Sequence, residues 1–498
     1  MVGTRNISRR TFLAGATSSA LALISPSLLR PSSRLASRPP QSDLTALQVL
    51  GRTILRTPDS LPDPSLPSGV DTMPEIEHVV VLMLENHSYD NFLGMLGRGK
   101  GRRPRGDGFT VDRNGQPTAT NPYPDGRIQH AFHMPTTCQL PSRPSQEWTA
   151  SHNAFDNGRM DGFVRTPIDP FTSEIVGGVA MGYWTGDDLP FTYSLASVFP
   201  IADRWFCSVL GQTDPNRRYL IAATSSGMTD DIGTGPGNAV PDASLGVPAN
   251  GTIFNRLDLH GISWANYCAN YPTGATPELY PANDGASESQ HVKPFDRFFV
   301  DAAAGTLPAF SLLDPDYGTQ SQENPQNIVV GEAVLAQVVR AVGSAPTWDK
   351  VLLVVAWDEH GGYYDHVPPP AALAPDAIPP MVQPGESMYD GFRRYGFRVP
   401  AIVVSPYSRR SAVTSVVHDH TSIAAMLERK WNLPAMTFRD ANANDLTDFL
   451  DLVALRRRQP VFAELPPLAP AGNTPAALRC TSTGPGTVPP PGSISPGP

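Results

Sequence analysis

Two distant segments each end an apolar run in a pair of oxygen-bearing side chains. Ile76 to Leu84 is followed by Glu85-Asn86, and Val351 to Trp357 is followed by Asp358-Glu359. Carboxylate and carboxamide oxygens are the donors that a hard divalent cation prefers, and four of them from two strands can hold one such ion. A single strand-end carboxylate is better explained as a helix cap or an ion pair. Two such pairs, each running into aromatic or Gly-rich turn sequence (His87-Ser88-Tyr89-Asp90 and His360-Gly361-Gly362-Tyr363), turn the balance toward a metal site. A third segment, Gln212-Thr213-Asp214-Pro215-Asn216-Arg217, supplies a hydroxyl. Pro in a first turn places Thr213 at a helix start, near unpaired backbone N–H groups and the positive end of the helix dipole. That setting suits a plain N-cap, and equally a hydroxyl that attacks phosphate.

These groups need a scaffold that brings them to one edge. Ile76 to Leu84, Val351 to Trp357 and Ala401 to Val404 are near-continuous apolar runs, as in strands buried on both faces of a parallel sheet. Helical patterns cover Asn216 to Ser225, Val329 to Val342 and Thr421 to Trp431, with Asp419 as the expected cap of the last. This alternation predicts a doubly wound α/β fold, in which polar residues just beyond the strands' carboxyl ends are where ligands bind.

The chain has 498 residues with a net charge of −9, so a polyanion such as nucleic acid is a poor partner. Its 53 prolines concentrate toward the ends. Ser8-Arg9-Arg10-Thr11-Phe12-Leu13, followed by an uncharged stretch to Leu29, resembles a twin-arginine export signal. The expectation is a protein handed to the twin-arginine export machinery and sent to the periplasm, the cell surface or the medium. Residues 1–36 then read as the signal region, 37–74 as a Pro-rich linker with one short helix, 75–465 as the catalytic domain and 466–498 as a Pro-rich tail without regular structure. No run is long and apolar enough to span a membrane, which leaves peripheral membrane contact. Four cysteines, Cys138, Cys207, Cys268 and Cys480, show no paired metal-ligand spacing and allow three full disulfide pairings.

Taken together, the segments stand as E-N-H-S-Y-D at 85–90, T-D-P-N-R at 213–217 and D-E-H-G-G-Y-Y-D-H-V-P-P at 358–369. In that order they resemble the phosphoesterase family of bacterial and plant non-specific phospholipases C and certain acid phosphatases. The family's usual forms are E-N-R-S-F-D, T-x-P-N-R and D-E-x-G-G-x-x-D-H-V-x-P-P. The resemblance runs from about residue 75 to residue 465. It implies an alkaline-phosphatase-like fold, with a mostly parallel central sheet flanked by helices and with inserted loops or a small cap subdomain.

The resemblance further implies one divalent metal ion held by Glu85, Asn86, Asp358 and Glu359, with Thr213 as nucleophile. His152, in Ser151-His152-Asn153, is similar to the family's first active-site histidine, and His291, ahead of Pro294-Phe295, to another. His366 and His420 also recur in family sequences, with a supporting role as the expectation. His87 and Tyr89 replace the usual Arg and Phe. Asn324, in Glu323-Asn324-Pro325, stands where members often carry His, so that a neutral amide would face the substrate. Arg217 is expected either as a second phosphate contact or, equally, as a residue that caps and anchors its helix.

Thr at the nucleophile position is typical of the phospholipase members, and Ser of the better-known acid phosphatases. The expected substrate is therefore a phosphatidylcholine-like diester, and the alternative is a small phosphate monoester. A phospholipase needs an apolar mouth. Phe92, Leu93, Met95, Phe163, Tyr183, Trp184, Phe191 and Tyr193 are the residues expected there, with 181–193 as an exposed loop.

Overall fold

The computed structural model describes residues 41–99, 101–139, 144–165, 177–231, 248–269, 279, 288–323, 326–472, 489–490 and 492–497. The chain divides into two units, Met1–Pro39, which lies outside the described residues, and Pro40–Pro498.

An eight-stranded sheet organises the second unit. Its strands are β1 (His78–Leu84), β2 (Ile201–Ala202), β3 (Trp264–Cys268), β4 (Val292–Pro294), β5 (Phe310–Asp314), β6 (Val351–Trp357), β7 (Ala401–Val404) and β8 (Val413–Thr414), in the order β8-β2-β7-β6-β1-β5-β3-β4. Only β7 runs against the rest, so the sheet is mostly parallel. Every residue of β1, β5 and β6 is buried, which is why those runs read as continuously apolar.

Register matters most for the chemistry. β1 and β6 pair from His78 opposite Val351 to Leu84 opposite Trp357, so the next residues, Glu85 and Asp358, emerge level with each other. On the other side of β1, Leu82 lies opposite Leu313, which puts Asp314 level with Met83.

Three longer helices follow the sequence pattern closely: Thr213–Ala222, Ile328–Gly343 and Thr421–Trp431. The second is capped by Asn327, whose side chain accepts the Val329 N–H at 3.1 Å. The third departs from expectation at its start. Its N-cap is His420, with no side-chain cap bond, and Asp419 lies one residue too early, accepting instead from the Thr421 hydroxyl at 2.5 Å.

The segments at the ends of this unit are fastened to it. Gln41–Val49 is a helix whose Ala46 and Leu47 pack, with Leu50, against Phe206, Leu373 and Tyr395. Further along, Asp63 N–H donates to Asn432 Oδ1 at 2.9 Å and the Lys430 ammonium holds Asp71 at 2.8 Å. Regular structure also reaches into the tail, where Ile494–Ser495 pairs antiparallel with Ile128 and Gln129. Cys138 is disulfide-bonded whereas Cys207 is a buried free thiol, so none of the three full pairings forms. Among the described residues, no helix is long and apolar enough to cross a membrane.

Candidate active site

The ends of β1 and β6 are tied directly together. Asp358 N–H donates to Leu84 O at 3.0 Å, and its carboxylate Oδ1 accepts the N–H groups of Asn86 at 3.0 Å and Glu359 at 2.7 Å. Asn86 turns out of the strand with φ 66°, a left-handed conformation that Asn tolerates better than most residues. The second strand turns at Gly361, where φ is 64° and a Cβ would stand 2.0 Å from Asn86 O, so no side chain fits. Both turns therefore serve to bring the two strand ends against each other.

Thr213 is the first residue of its helix, after the N-cap Gln212. Its hydroxyl donates to Glu85 Oε2 at 3.1 Å, which joins the third sequence segment to the first. One turn on, Arg217 lies beneath the site. Its guanidinium stands 2.5 Å from Glu85 Oε1, 3.2 Å from Asp314 Oδ1 and 3.5 Å from Asp358 Oδ2, and lies over the Tyr317 ring. Burial works against its charge, and Tyr317 with the three carboxylates outweighs that and pushes its pKa up. With 1 % exposure, Arg217 is an internal counter-charge, and the expected contact with substrate phosphate is not what the structure places there.

The oxygens of the two strand-end pairs fit a cation. Asn86 Oδ1, Asp358 Oδ2 and Glu359 Oε1 are buried acceptors that make no hydrogen bond, Asp358 Oδ2 standing 3.5 Å from the Arg217 guanidinium. Uncompensated acceptors of this kind are costly in a protein interior, and a metal ion is what would satisfy all three. Burial, followed by the Asp358 charge, pushes the carboxyls of Glu85 and Glu359 well above the ordinary range. Such crowding of acids is the electrostatic setting that favours a bound cation. The donor set fits one hard divalent ion. A second acidic group, Asp90, Asp365 and His366, is different, because Arg398 already occupies it at 3.3 Å from Asp90 and 2.9 Å from Asp365.

His152 lies on the helix Trp148–Phe155 and lines a cavity of about 570 Å³ with Tyr389, Asp390, Arg394 and Arg165. Its Nδ1–H donates to Trp148 O at 2.8 Å, its ring stacks on Tyr389, and burial lowers its pKa to about 4. Trp148, one turn earlier on the same helix, packs toward Gly211, two residues before Thr213, while Thr213 and the four strand-end residues are not among the residues lining the cavity. His291 is not brought there. It stacks on Trp264 and its Nδ1–H donates to Trp264 O at 2.8 Å, at the start of β3. Trp264 is level with Phe310 and so with Val79, five residues or roughly 16 Å back from the ligand ends of the strands. Asn324 lies outside the described residues.

The apolar mouth was also misplaced. Phe92, Leu93, Phe163, Tyr183, Trp184 and Phe191 are buried core, and Met95 and Tyr193 pack against it. Residues 181–193 read as an exposed loop because the elements they fall in are too short to show a period: the end of a 3₁₀ turn, the strand Gly182–Tyr183 and the start of the helix Pro190–Val198.

Two residues near the site, Asp314 and Asp231, have no place in the sequence motifs. Asp314 closes β5 as Glu85 follows β1, and the run Phe310-Ser311-Leu312-Leu313 ahead of it is the signal that could have found it. Asp231 carries no such signal. It accepts the Asp214 N–H at 2.7 Å and its own N–H donates to Gln212 Oε1 at 2.9 Å, fixing the start of the nucleophile helix. His420 donates from Nε2 to Asp358 O at 2.6 Å, which gives it the supporting role expected. His360, buried against Phe163 and Phe397, is held neutral by desolvation, with its pKa lowered to about 3.

A parallel sheet that aligns these three motif segments at its carboxyl edge defines the class. Residues 76–434 match the model of the phosphoesterase family, and the chain belongs to that family. It is a phosphoric ester hydrolase. Its similarity to phospholipase C A of Mycobacterium tuberculosis is 30 % identity over 410 residues, covering 75 % of this chain and 76 % of that one. Non-specific phospholipase C1 of Arabidopsis thaliana is 29 % identical over 399 residues, covering 74 % and 69 %. Among solved structures, an alkaline phosphatase superfamily protein from Vibrio parahaemolyticus aligns over 63 % of this chain and 72 % of that one, at 11 % identity and a TM-score of 0.32.

Proposed function

We propose that this protein is a metal-dependent phospholipase C that cleaves phosphatidylcholine-like diesters through a covalent intermediate on Thr213. The observation that carries the reading is the hydrogen bond from the Thr213 hydroxyl to Glu85, beside three buried oxygens that make no hydrogen bond. The resemblance to phospholipases C of two kingdoms supports the diester over the monoester.

Glu85, Asn86, Asp358 and Glu359 would hold one divalent ion, which supplies Lewis-acid stabilisation of charge on oxygen. Glu85 orients the Thr213 hydroxyl by accepting its hydrogen, leaving an Oγ lone pair for phosphorus. The helix start lowers the cost of negative charge at that oxygen and on the phosphoryl group. Attack forms an Oγ–P bond with loss of the hydroxyl proton and breaks the bond from phosphorus to the glycerol oxygen. Diacylglycerol leaves by taking up one proton, so that the proton lost by Thr213 balances the one the leaving group gains. Water then attacks phosphorus, releases the phosphorylated head group and returns Thr213 to its hydroxyl. Arg217 stays below, holding Glu85 and Asp358 in place by charge.

The Arg9-Arg10 motif supports export by the twin-arginine route, which carries folded proteins and so allows a metal to be loaded first. The test is turnover of phosphatidylcholine against a simple phosphate monoester by metal-reconstituted protein and by Thr213→Ala. Preference for the diester, with a loss of at least about 10²-fold in the variant, supports the reading. Preference for the monoester makes the protein an acid phosphatase.

A further inference from the structure

The loop 376–392 stands beside the site and is built rigidly. Met381 N–H donates to Gly227 O at 2.8 Å, and the Thr229 hydroxyl donates to Met381 O at 3.1 Å. Trp148 Nε1–H donates to Ser387 O at 2.8 Å, and the Thr149 hydroxyl to Glu386 Oε1 at 2.6 Å. These anchors are the site's own neighbours. Segment 227–231 is tied through Asp231 to Gln212 and Asp214 on either side of Thr213, and Trp148 belongs to the helix that carries His152.

A braced loop normally turns polar groups outward, and this one does not. Its exposed residues include Ala377, Ile378, Pro379, Pro384, Met388 and Tyr389, with Ile378 39 %, Met388 52 % and Tyr389 43 % exposed. Between residues 377 and 389 the sole charged side chain is Glu386. Its two oxygens are turned inward, one to Thr149 and the other to the Gln383 N–H at 3.1 Å. Isolated apolar residues on a surface mean little, but an uncharged apolar crest on a fixed loop marks a contact. Tyr389 connects this crest to the cavity beside the helix Trp148–Phe155, since its ring stacks on His152 in the cavity wall.

We propose that the crest Ile378–Met388–Tyr389 is the surface by which the protein seats on a zwitterionic phospholipid bilayer, so that a lipid head group enters beside His152. The inference rests on the phospholipase reading and replaces the mouth expected at 181–193. Charge selects the kind of surface. The loop begins at Asp376 and carries Glu386 and Asp390, while Arg393 and Arg394 just beyond it are paired with Asp43 at 3.0 Å and Asp390 at 2.8 Å. Among the described residues no unpaired basic cluster stands beside the crest, and the whole chain carries −9, so a net-neutral bilayer suits it better than an anionic one. Apolar side chains and a Tyr at the water boundary are what an interfacial contact uses.

The test is co-sedimentation of the full-length protein with sucrose-loaded vesicles of pure phosphatidylcholine, for the parent and for Ile378→Asp/Met388→Asp. Turnover of a soluble phosphocholine ester and the thermal midpoint are measured alongside. The parent partitions onto the vesicles, and the double variant loses at least about tenfold in partition coefficient while keeping soluble turnover and thermal midpoint. Met388→Ser, a milder change, moves the same way by less. The proposal is overturned if parent and variants bind alike, if vesicles rich in phosphatidylserine bind the parent more tightly than phosphatidylcholine, or if the parent is a dimer that the substitutions dissociate. A parent that binds vesicles but cleaves no diester would instead overturn the phospholipase reading and leave the surface standing.

Discussion

The Thr213 hydroxyl donates to Glu85 Oε2 at 3.1 Å across 128 positions of sequence, and Arg217 holds the other oxygen of the same carboxylate. Glu85 therefore has both oxygens committed on one side, which fixes its plane. Thr213, Glu85 and Arg217 form one unit built from the first turn of a helix and the end of a strand.

Asp358→Asn and Glu359→Gln should each lower bound metal and activity together, because an amide lacks the charge a carboxylate contributes to a divalent ion. Elemental analysis of the purified variants, together with the rise in thermal midpoint on adding metal, measures this. Full metal occupancy in both variants would sink the ligand assignment.

Arg217→Met should destabilise the protein by about 3–5 kcal/mol, since it leaves Glu85, Asp314 and Asp358 buried without their cation. Adding Asp314→Asn should recover part of that loss, and the double-mutant cycle should show a coupling of about 1 kcal/mol or more. Additive effects in urea titrations would mean that Arg217 does not compensate Asp314.

How much of this was legible in the sequence depends on the kind of interaction. Glu85, Asn86, Asp358 and Glu359 could be read because two uniformly apolar runs fix adjacent parallel strands, and the residue after each strand inherits its level. The three helices could be read because each is long enough to show a period. His291 was misread for the opposite reason. Val292-Lys293-Pro294 is a strand too short and polar to leave a signal, so nothing in the sequence shows that His291 precedes it and sits at the far end of the sheet. Arg217 looked like a phosphate ligand because its partners, Glu85, Asp314 and Asp358, are distant in sequence.

Stability should fall as the solution is acidified from about pH 6.5 toward about pH 4, in part through His152. Its folded pKa is lowered to about 4 by burial against an ordinary 6.5, so across that window the unfolded state binds more protons. The contribution is roughly 2 kcal/mol at pH 5 on those values. Urea midpoints at pH 7 and pH 5 for the parent and His152→Gln measure it, and the variant should show the shallower dependence. An equal dependence in both would place the acid sensitivity elsewhere.

Changing Arg9 and Arg10 to Lys should hold the precursor in the cytoplasm, because the export machinery reads the arginine pair as an address and not as charge. Cell fractionation decides this. Continued export of the Lys-Lys protein would assign it to the general secretory route.

The central claim is that Thr213 carries the phosphoryl group between the two steps. Metal-loaded enzyme is mixed with excess phosphatidylcholine, quenched in acid within the first turnover, digested, and read by peptide mass spectrometry. A phosphocholine adduct is expected on the peptide bearing Thr213, present at early times, absent from Thr213→Ala, and replaced by a simple phosphate when a monoester is the substrate. Full turnover by Thr213→Ala, or an adduct on another residue with Thr213 unmodified, would contradict it.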